Sequence, residues 1–195
     1  NTDFAADVLD LADQGFLRLS VEPVVGKGEP YELTEAHLPE LYRQYDLLAA
    51  EYLRRKAAGC GFEFFHFNVD LQNGPCLVKR LSGCGAGHEY FAVTPDGDLY
   101  PCHQFVGRDG FKVGNVFDGI ERREICREFR EAHVLTKEEC RSCWARFYCS
   151  GGCHANAHAY NGTIHTPYQM GCALQKKRLE CAIYVQIGLR RQRKG

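Results

Sequence analysis

Apolar residues in the first third of the chain recur with the spacing of α-helices. One such run covers residues 3–14 and stops at Gly15, which suits a left-handed helix end. A longer run follows Thr34, a residue type that caps helices, and continues to Gly59 with Pro39 near its first turn. The pattern therefore predicts a short helix, an interruption and a long helix.

Two short apolar segments alternate with these helices. Residues 16–21 are mostly apolar and open into a loop rich in proline and glycine, and residues 62–69 are rich in phenylalanine. An order of helix, strand, helix, strand is typical of right-handed crossovers in a parallel sheet. The segment up to the turn at residues 73–75 is therefore predicted to be part of an α/β barrel.

Beyond residue 75 the pattern changes to short elements and cysteine-rich loops. Residues 89–94 and 98–102 flank an Asp-Gly turn and predict a β-hairpin. Helical patterns recur over residues 118–133 and again over residues 172–189. The sequence thus predicts an α/β region followed by a smaller unit made of a hairpin, irregular loops and helices.

Composition and charge narrow the class of partners. The chain has 195 residues, 45% of them hydrophobic, and its 24 lysine and arginine residues nearly balance 25 aspartate and glutamate residues. This balance creates no overall field for nucleic acid or a phospholipid surface, and no apolar run approaches the roughly 20 residues that span a bilayer. The first residues lack the layout of a signal peptide. The sequence therefore predicts a cytoplasmic protein without nucleic-acid or membrane partners.

The chain reads as a piece of a longer protein. Its single methionine is Met170, and its first residues already show a helical pattern. We therefore expect part of the catalytic machinery to lie outside these residues.

The chemistry of the chain is concentrated in its cysteines. Eleven are present, an odd number that fits poorly with complete disulfide pairing. Thiolates bind zinc or iron–sulfur clusters, and either kind of centre takes at most four cysteines. An ordered series of seven therefore predicts two centres, one saturated and one short of a ligand. The series is Cys84, Cys102, Cys140, Cys143, Cys149, Cys153 and Cys172.

The spacing of this series resembles the seven-cysteine SPASM domain of radical S-adenosylmethionine enzymes that modify peptides and proteins. The likeness covers residues 84–172 and includes Gly97 between the first two cysteines. It implies two auxiliary [4Fe–4S] clusters. The implied ligands are Cys84, Cys102 and Cys153 for the first cluster and Cys140, Cys143, Cys149 and Cys172 for the second.

Residues 74–87 and 94–107 further resemble the maturases of six-cysteine (SCIFF) peptides. This resemblance implies that residues 1–75 are the C-terminal strands and helices of a partial (β/α) TIM barrel, and that residues 76–195 are the SPASM domain. It also implies a reaction on a cysteine-rich ribosomal peptide. A deoxyadenosyl radical abstracts hydrogen, sulfur attacks the carbon radical to form a thioether, and the auxiliary clusters bind the substrate thiolate and accept an electron.

The cysteine triplet that generates the radical in this family is absent from the sequence. That triplet is Cys-x3-Cys-x2-Cys; Cys149 and Cys153 begin one, but position 156 is asparagine. S-adenosylmethionine and a third [4Fe–4S] cluster are therefore expected in a full-length parent. This chain alone is expected to be inactive.

Three assignments stay open at this point. The fourth ligand of the first cluster is either Cys76 or a substrate thiolate. Ser20 and Glu22 follow a barrel-like strand, where such folds gather functional groups, so they are either contacts for S-adenosylmethionine or an ordinary strand end. His154 and His158, which would share one face of a helix, are either ligands or packing residues.

Two other functions compete with thioether formation. An anaerobic sulfatase-maturating enzyme of the same family would form formylglycine, but such relatives carry a cysteine where this chain has Tyr90 and an aspartate where it has His103. A non-catalytic zinc-binding interaction module would use the same thiolates, and zinc would also replace iron in protein prepared in air.

The partners expected of the enzyme are a cysteine-rich precursor peptide and an electron carrier such as ferredoxin or flavodoxin.

Overall fold

The computed structural model describes residues 1–192, which form a mixed α/β fold. The helices are α1 (Phe4–Asp13), α2 (Leu38–Ala57), α3 (Arg123–Glu131), α4 (Glu138–Arg141), α5 (Arg146–Cys149), α6 (His154–Asn161) and α7 (Gln169–Gln192). The strands are β1 (Arg18–Leu19), β2 (Glu63–Phe64), β3 (Ala92–Val93), β4 (Asp98–Tyr100), β5 (Gly114–Asn115) and β6 (Gly119–Ile120). No helix within this range is both long enough and apolar enough to cross a membrane.

The chain divides into two compact units. One contains residues 1–74 together with helix α7, and the other contains residues 75–168. The division into a barrel segment over 1–75 and a SPASM domain over 76–195 stays a prediction. The structure groups α7 with the first unit because that helix packs along α2.

Helix α2 is the central element of the first unit. Its buried residues Leu41, Tyr45, Leu48 and Tyr52 recur every three or four positions, as the sequence pattern predicts. Pro39 lies in its first turn, where a missing N–H leaves no helical hydrogen bond unmade. Helices α1 and α7 both pack against α2. Its apolar stripe is therefore covered by neighbouring helices.

The two predicted strands of the first unit pair with each other but are shorter than predicted. Strands β1 and β2 run parallel, with Arg18 opposite Glu63 and Leu19 opposite Phe64. The parallel pairing expected from the order of elements is confirmed. The predicted strand lengths are wrong, since each strand contains two residues.

The early end of β2 follows from the burial of its phenylalanines. Phe64 and Phe67 are both 0% exposed, whereas Phe65 is 70% exposed. Residues three apart in a strand point to opposite faces, but a 3-10 turn over Phe65–Phe67 lets Phe64 and Phe67 enter the same core. Their ring centroids are 4.9 Å apart, and Phe67 also meets Tyr52 of α2 edge-on at 5.5 Å. Aromatic burial therefore outweighs strand pairing here.

The second unit contains a four-stranded antiparallel sheet in the order β3, β4, β5, β6. Strands β3 and β4 form the predicted hairpin, with Val93 opposite Leu99. Strands β5 and β6 were outside the prediction because each has two residues and no apolar alternation. A Cβ at Gly114 would lie 2.0 Å from the carbonyl oxygen of Gly119, so the close pairing of these strands requires glycine there.

The core of the second unit centres on Phe105 and Phe129, which are both 0% exposed. Their rings meet edge-on at 5.3 Å, and Phe111 contacts both rings. Phe129 comes from α3, which is shorter than the helix predicted over 118–133. The prediction is wrong at its start because residues 119–120 pair as a strand.

Phe67→Ala and Phe65→Ala form a matched pair that tests the aromatic core of the first unit. Phe67→Ala removes a fully buried ring and leaves a cavity, so we expect the free energy of unfolding to fall by about 3–5 kcal/mol. Phe65→Ala removes a ring that is 70% exposed, so we expect a change below about 1 kcal/mol. Urea unfolding followed by circular dichroism measures both. Losses of equal size would contradict the burial assigned to Phe67.

Candidate metal centre

A tight turn positions Cys84 beside the hairpin of the second unit. The carbonyl oxygen of Gly85 accepts hydrogen bonds from three successive backbone N–H groups, the nearest at 2.8 Å. The N–H of Gly87 donates to the carbonyl oxygen of Pro101 at 3.0 Å. Because Pro101 precedes Cys102, this bond ties the segment of one cysteine to the segment of the other.

Cys84 and Cys153 both act electrostatically on Cys102. Burial raises the pKa of the Cys102 thiol, and the neighbouring Cys153 and Cys84 thiols raise it further. The backbone N–H groups of Gln104 and Phe105 oppose this rise in pKa by hydrogen bonding to the Cys102 sulfur. Three distant segments of the chain thus bring Cys84, Cys102 and Cys153 together as a first thiol group.

The segment between Cys149 and Cys153 has an unusual backbone conformation. Ser150, Gly151 and Gly152 have φ angles of 62°, 83° and 73°, so three consecutive residues are left-handed. Ser150 is the one non-glycine residue with a positive φ among those that the structure describes. The N–H groups of Gly151 and Gly152 hydrogen-bond to the Cys149 sulfur and act to lower the pKa of its thiol. The turn thus gives a thiolate two fixed donors.

Cys140, Cys143 and Cys149 form a second thiol group. Burial raises the pKa of Cys140 and of Cys149, and the Cys143 thiol raises the pKa of both. The N–H of Cys143 donates to the carbonyl oxygen of Cys140 at 3.1 Å. Cys140 belongs to α4, and Cys149 is the last residue of α5. Two very short helices therefore hold these thiols near one another.

A buried lysine lies beside the second thiol group. Lys137 is 2% exposed, and its Nζ donates to the carbonyl oxygen of Gly151 at 3.0 Å. Its positive charge lowers the pKa of Cys140 and Cys149, against the effect of burial. A buried ammonium requires hydrogen-bond acceptors or negative charge. The carbonyl oxygen of Gly151 is one acceptor, and thiolates bound to a metal would supply the charge. A lone lysine near Cys140 forms no recognisable pattern, so the sequence alone gives no sign of this role.

Two predicted ligands, Cys172 and Cys76, lie outside both thiol groups. Cys172 is half-buried near the start of α7, in the first unit. Cys76, the alternative fourth ligand, is exposed in the second unit. The roles of both cysteines as ligands stay predictions.

The donors of both thiol groups fit iron–sulfur clusters. Within residues 1–192, no group of three or more cysteine, histidine, aspartate or glutamate side chains is already arranged as a metal site. Each group nevertheless consists of thiols, the ligands that iron–sulfur clusters take, and N–H groups already point at a sulfur in each. With three thiols apiece, each group is one ligand short of a saturated cubane cluster.

Several curated proteins resemble the chain in sequence. It is 32% identical over 162 residues to the mycofactocin maturase MftC of Mycobacterium ulcerans, a match that covers 78% of this chain and 41% of that protein. It is 30% identical over 117 residues to the cysteine-type anaerobic sulfatase-maturating enzyme of Clostridium perfringens, covering 57% of this chain and 25% of that enzyme. The chain thus spans less than half the length of these relatives.

Solved structures share the fold. The structure of native anSMEcpe with bound AdoMet and Kp18Cys peptide has a TM-score of 0.64 at 18% identity, covering 100% of this chain and 56% of that chain. In addition, residues 84–144 match the family model of SPASM, an iron–sulfur cluster-binding domain. The chain belongs to the radical SAM/SPASM family. This confirms the family that the cysteine spacing indicates.

Two histidines of helix α6 pack in the interior of the second unit. The Nε2 of buried His154 lies 2.9 Å from the carbonyl oxygen of Ala132, to which its N–H donates, and burial lowers the pKa of His154 to about 4. The ring of His158 meets Phe105 and Phe111 edge-on at 5.8 Å and 4.9 Å. These contacts favour packing over metal ligation for both histidines.

Glu22, one of the two predicted contacts for S-adenosylmethionine, is engaged within the first unit. Its Oε1 lies 3.1 Å from Nε2 of His66, and its Oε2 lies 3.3 Å from Nη2 of Arg178. The Nη1 of Arg178 also lies 2.9 Å from Nδ1 of His66. Because arginine can only donate hydrogen bonds, Nδ1 accepts this one, and the proton of a neutral His66 ring is on Nε2, which faces Glu22. His66 and Arg178 hold the pKa of Glu22 below its ordinary value. Ser20 is exposed just after β1, and contact of either residue with S-adenosylmethionine stays a prediction.

Gly87→Ala tests the turn that positions Cys84 in the SPASM domain. Gly87 has a φ of 78°, and a Cβ there would lie 2.8 Å from the Cβ of Phe129. We expect this substitution to lower the free energy of unfolding by about 2–4 kcal/mol, because left-handed strain and overpacking act together. Gly107→Ala is the control, because Gly107 has a φ of 73° but no atom lies within 4 Å of the added Cβ. Only left-handed strain acts there, so we expect the free energy of unfolding to fall by about 1 kcal/mol. Equal losses in urea unfolding would contradict the close packing of Gly87 on Phe129.

Proposed function

We propose that this chain is the C-terminal portion of a radical SAM peptide maturase that forms a thioether crosslink in a cysteine-rich ribosomal peptide. In this proposal, the SPASM domain holds two auxiliary [4Fe–4S] clusters. The observation that carries the proposal is that six cysteines form two groups, in each of which two thiols act electrostatically on a third. These are Cys84, Cys102 and Cys153 in one group and Cys140, Cys143 and Cys149 in the other.

The fourth ligand differs between the two proposed clusters. Cys172 is the proposed fourth ligand of the second cluster, which would then be saturated by the protein. The first cluster would take either Cys76 or the thiolate of the substrate. A substrate thiolate held there would lie in a fixed position for carbon–sulfur bond formation.

The surroundings of the second thiol group suit electron transfer. When bound, a [4Fe–4S] cluster supplies a one-electron acceptor and, where one iron lacks a protein ligand, a position for a thiolate. The N–H groups of Gly151 and Gly152 point at the Cys149 sulfur, and the Lys137 ammonium lies beside the same turn. Hydrogen bonds to sulfur and nearby positive charge favour the more negative, reduced state. These residues would therefore help the site to receive an electron.

The proposed reaction removes two hydrogens from the peptide. One hydrogen atom leaves a substrate carbon, and radical SAM chemistry supplies its acceptor. The substrate thiol loses a proton, its sulfur bonds to that carbon, and one electron leaves the peptide for the protein. S-adenosylmethionine and a third [4Fe–4S] cluster would be held by a longer polypeptide. Ferredoxin or flavodoxin is the proposed electron carrier.

Tyr90 and His103 favour thioether formation over sulfatase maturation. At these positions sulfatase-maturating relatives carry a cysteine and an aspartate. In this chain the Oη of Tyr90 and the Nδ1 of His103 are 3.1 Å apart and share a hydrogen bond. The pair supplies neither a further thiolate nor a carboxylate beside Cys102, so the chemistry available at the first thiol group differs from that of those relatives.

Sulfatase maturation is the second candidate because the Clostridium perfringens enzyme matches 57% of this chain. That activity would oxidise a cysteine or serine of a protein substrate to formylglycine. It would leave an aldehyde and no sulfur crosslink. The two candidates therefore differ in the atoms that the product retains.

Iron analysis tests the two-cluster proposal. The protein, prepared and reconstituted without oxygen, is expected to contain about eight irons per chain, as two cubane clusters require. Cys84→Ala and Cys143→Ala each remove one thiol from a different group, so each variant is expected to retain about four irons. Iron and sulfide assays with Mössbauer spectroscopy make the measurement.

Cys60→Ser is the matched control for iron content, because Cys60 is exposed and lies outside both thiol groups. Its iron content should equal that of the wild type. Loss of all iron in both alanine variants would contradict two separate clusters. Uptake of zinc alone, even with iron and sulfide supplied, would overturn the electron-transfer role and leave a zinc-binding interaction module.

Product mass separates the two enzymatic candidates. The full-length parent, given its precursor peptide, S-adenosylmethionine and a reductant, is expected to lower the peptide mass by two hydrogens while retaining every sulfur. One cysteine of the product should then resist alkylation, because its sulfur is bonded to carbon. Tandem mass spectrometry locates the crosslink. A hydrazide-reactive aldehyde would instead assign the enzyme to formylglycine formation.

A further inference from the structure

Helix α3 presents a row of arginines opposite its buried face. Ile125 and Phe129 face the core of the second unit. Arg123, Arg127 and Arg130 are exposed and follow one another at spacings of four and three residues, so they form a single row along the helix. We call these three residues the arginine stripe.

No hydrogen bond or ion pair among residues 1–192 engages the arginine stripe. The neighbouring Arg122 differs, since its Nε bonds to Glu124 at 3.0 Å. Glu128, on another flank of the helix, lies 3.5 Å from His165. The stripe also contains an i,i+4 pair of like charges, an arrangement that destabilises a helix. Arg127 acts electrostatically on Glu124, but no guanidinium group of the row forms a hydrogen bond or close ion pair within the described residues. A row of guanidinium groups with free donors points to a ligand outside the chain.

The arginine stripe borders two cavities of the second unit. One, of about 530 Å³, is lined by Ile120, Cys126 and the three arginines. Arg130 also lines the other, of about 710 Å³, together with Lys79, two histidines and one carboxylate, that of Glu89. A concave surface of this size suits the side chains of a ligand. Its charged groups are mostly cationic, so the ligand should be anionic.

We propose that the arginine stripe is a docking surface for an acidic peptide segment. The helix rises about 10 Å between Arg123 and Arg130, a length that an extended peptide covers in about three residues. Carboxylates of the peptide would form paired hydrogen bonds with the planar guanidinium groups. An apolar side chain between those carboxylates would contact Ile120 and Cys126 in the smaller cavity.

Charge distribution and shape favour a peptide over other anionic partners. Glutamates at positions 124, 128 and 131 flank the stripe and would repel a phosphate backbone running beyond it. The formal net charge of the chain is −1, so the stripe is not part of a broad basic footprint of the kind that nucleic acid requires. The depression lined by Ile120, Cys126 and the three arginines is open to solvent, so an extended chain can lie along it.

Fluorescence anisotropy of a labelled peptide with two glutamates on each side of a leucine tests the proposal. The unaltered chain is expected to bind this peptide, and more weakly as salt is raised from about 50 to about 300 mM. The combined variant Arg123→Gln, Arg127→Gln, Arg130→Gln is expected to bind about tenfold more weakly or worse. Glutamine keeps helix propensity, and circular dichroism checks that the helix is retained.

The matched control removes three exposed arginines from the first unit: Arg18→Gln, Arg43→Gln and Arg54→Gln. It makes the same change in net charge and should leave peptide binding unchanged. An equal loss of binding in this control would overturn the proposal, because the effect would then follow total charge. Tighter binding of a short DNA duplex than of the peptide would overturn it in favour of nucleic acid.

Alkylation of Cys126 gives a second measurement on the unaltered chain. Cys126 is half-buried and lines the smaller cavity, so bound peptide is expected to slow its alkylation several-fold, as read by mass spectrometry. Exposed Cys60 of the first unit should be unaffected. Absence of peptide binding or of Cys126 protection would overturn the docking surface. None of the proposed cluster ligands belongs to the arginine stripe or lines its smaller cavity. Failure of peptide binding would therefore not change the expected iron content, and loss of iron would not change the expected peptide binding.

Discussion

The hydrogen bond from the Lys137 ammonium to the carbonyl oxygen of Gly151 anchors the turn on which the thiol arrangement depends. Cys149 and Cys153 are close neighbours in sequence, yet they contribute to different thiol groups. The three residues between them are all left-handed, so Cys149 and Cys153 do not continue one helix. Such a conformation is costly for Ser150 and persists only where surrounding contacts hold it. The buried lysine provides one of those contacts.

The same turn balances charge around the second thiol group. Burial disfavours ionised thiols, and each thiolate disfavours its neighbours. The lysine charge and two backbone N–H groups act in the opposite direction on Cys149. Thiolates are the form that binds metal. The fold therefore offsets part of the cost of burying ionised thiols, while the pKa of Cys140 and Cys149 stays above its ordinary value.

In the first unit, aromatic packing determines which elements come together. Phe64 and Phe67 enter one core because the chain leaves the strand conformation directly after β2. His66, between them, lies against Glu22 and Arg178, which come from the segment after β1 and from α7. One short turn thus joins the parallel strands to the final helix. This turn and helix α2 both pack against α7, which is why α7 groups with residues from the start of the chain.

Local patterns account for the parts of the structure that could be predicted. The spacing of apolar residues indicated α1, α2 and α7 because a helix face repeats every three or four residues. The Asp-Gly pair indicated the hairpin of β3 and β4 because its turn conformation favours that dipeptide. Strands β5 and β6, the early end of β2 and the role of Lys137 left no such pattern, since each depends on contacts between distant segments.

By itself, the sequence determined helices α1, α2 and α7, the hairpin and the family, because these follow from residue types at regular spacings. Only the tertiary structure decided that Cys84 and Cys153 act electrostatically on Cys102. It also decided that a lysine is buried beside Cys149 and that three arginines of α3 line one depression of the second unit. The physical reason is that burial and electrostatic pairing depend on which distant segments the folded chain brings into contact.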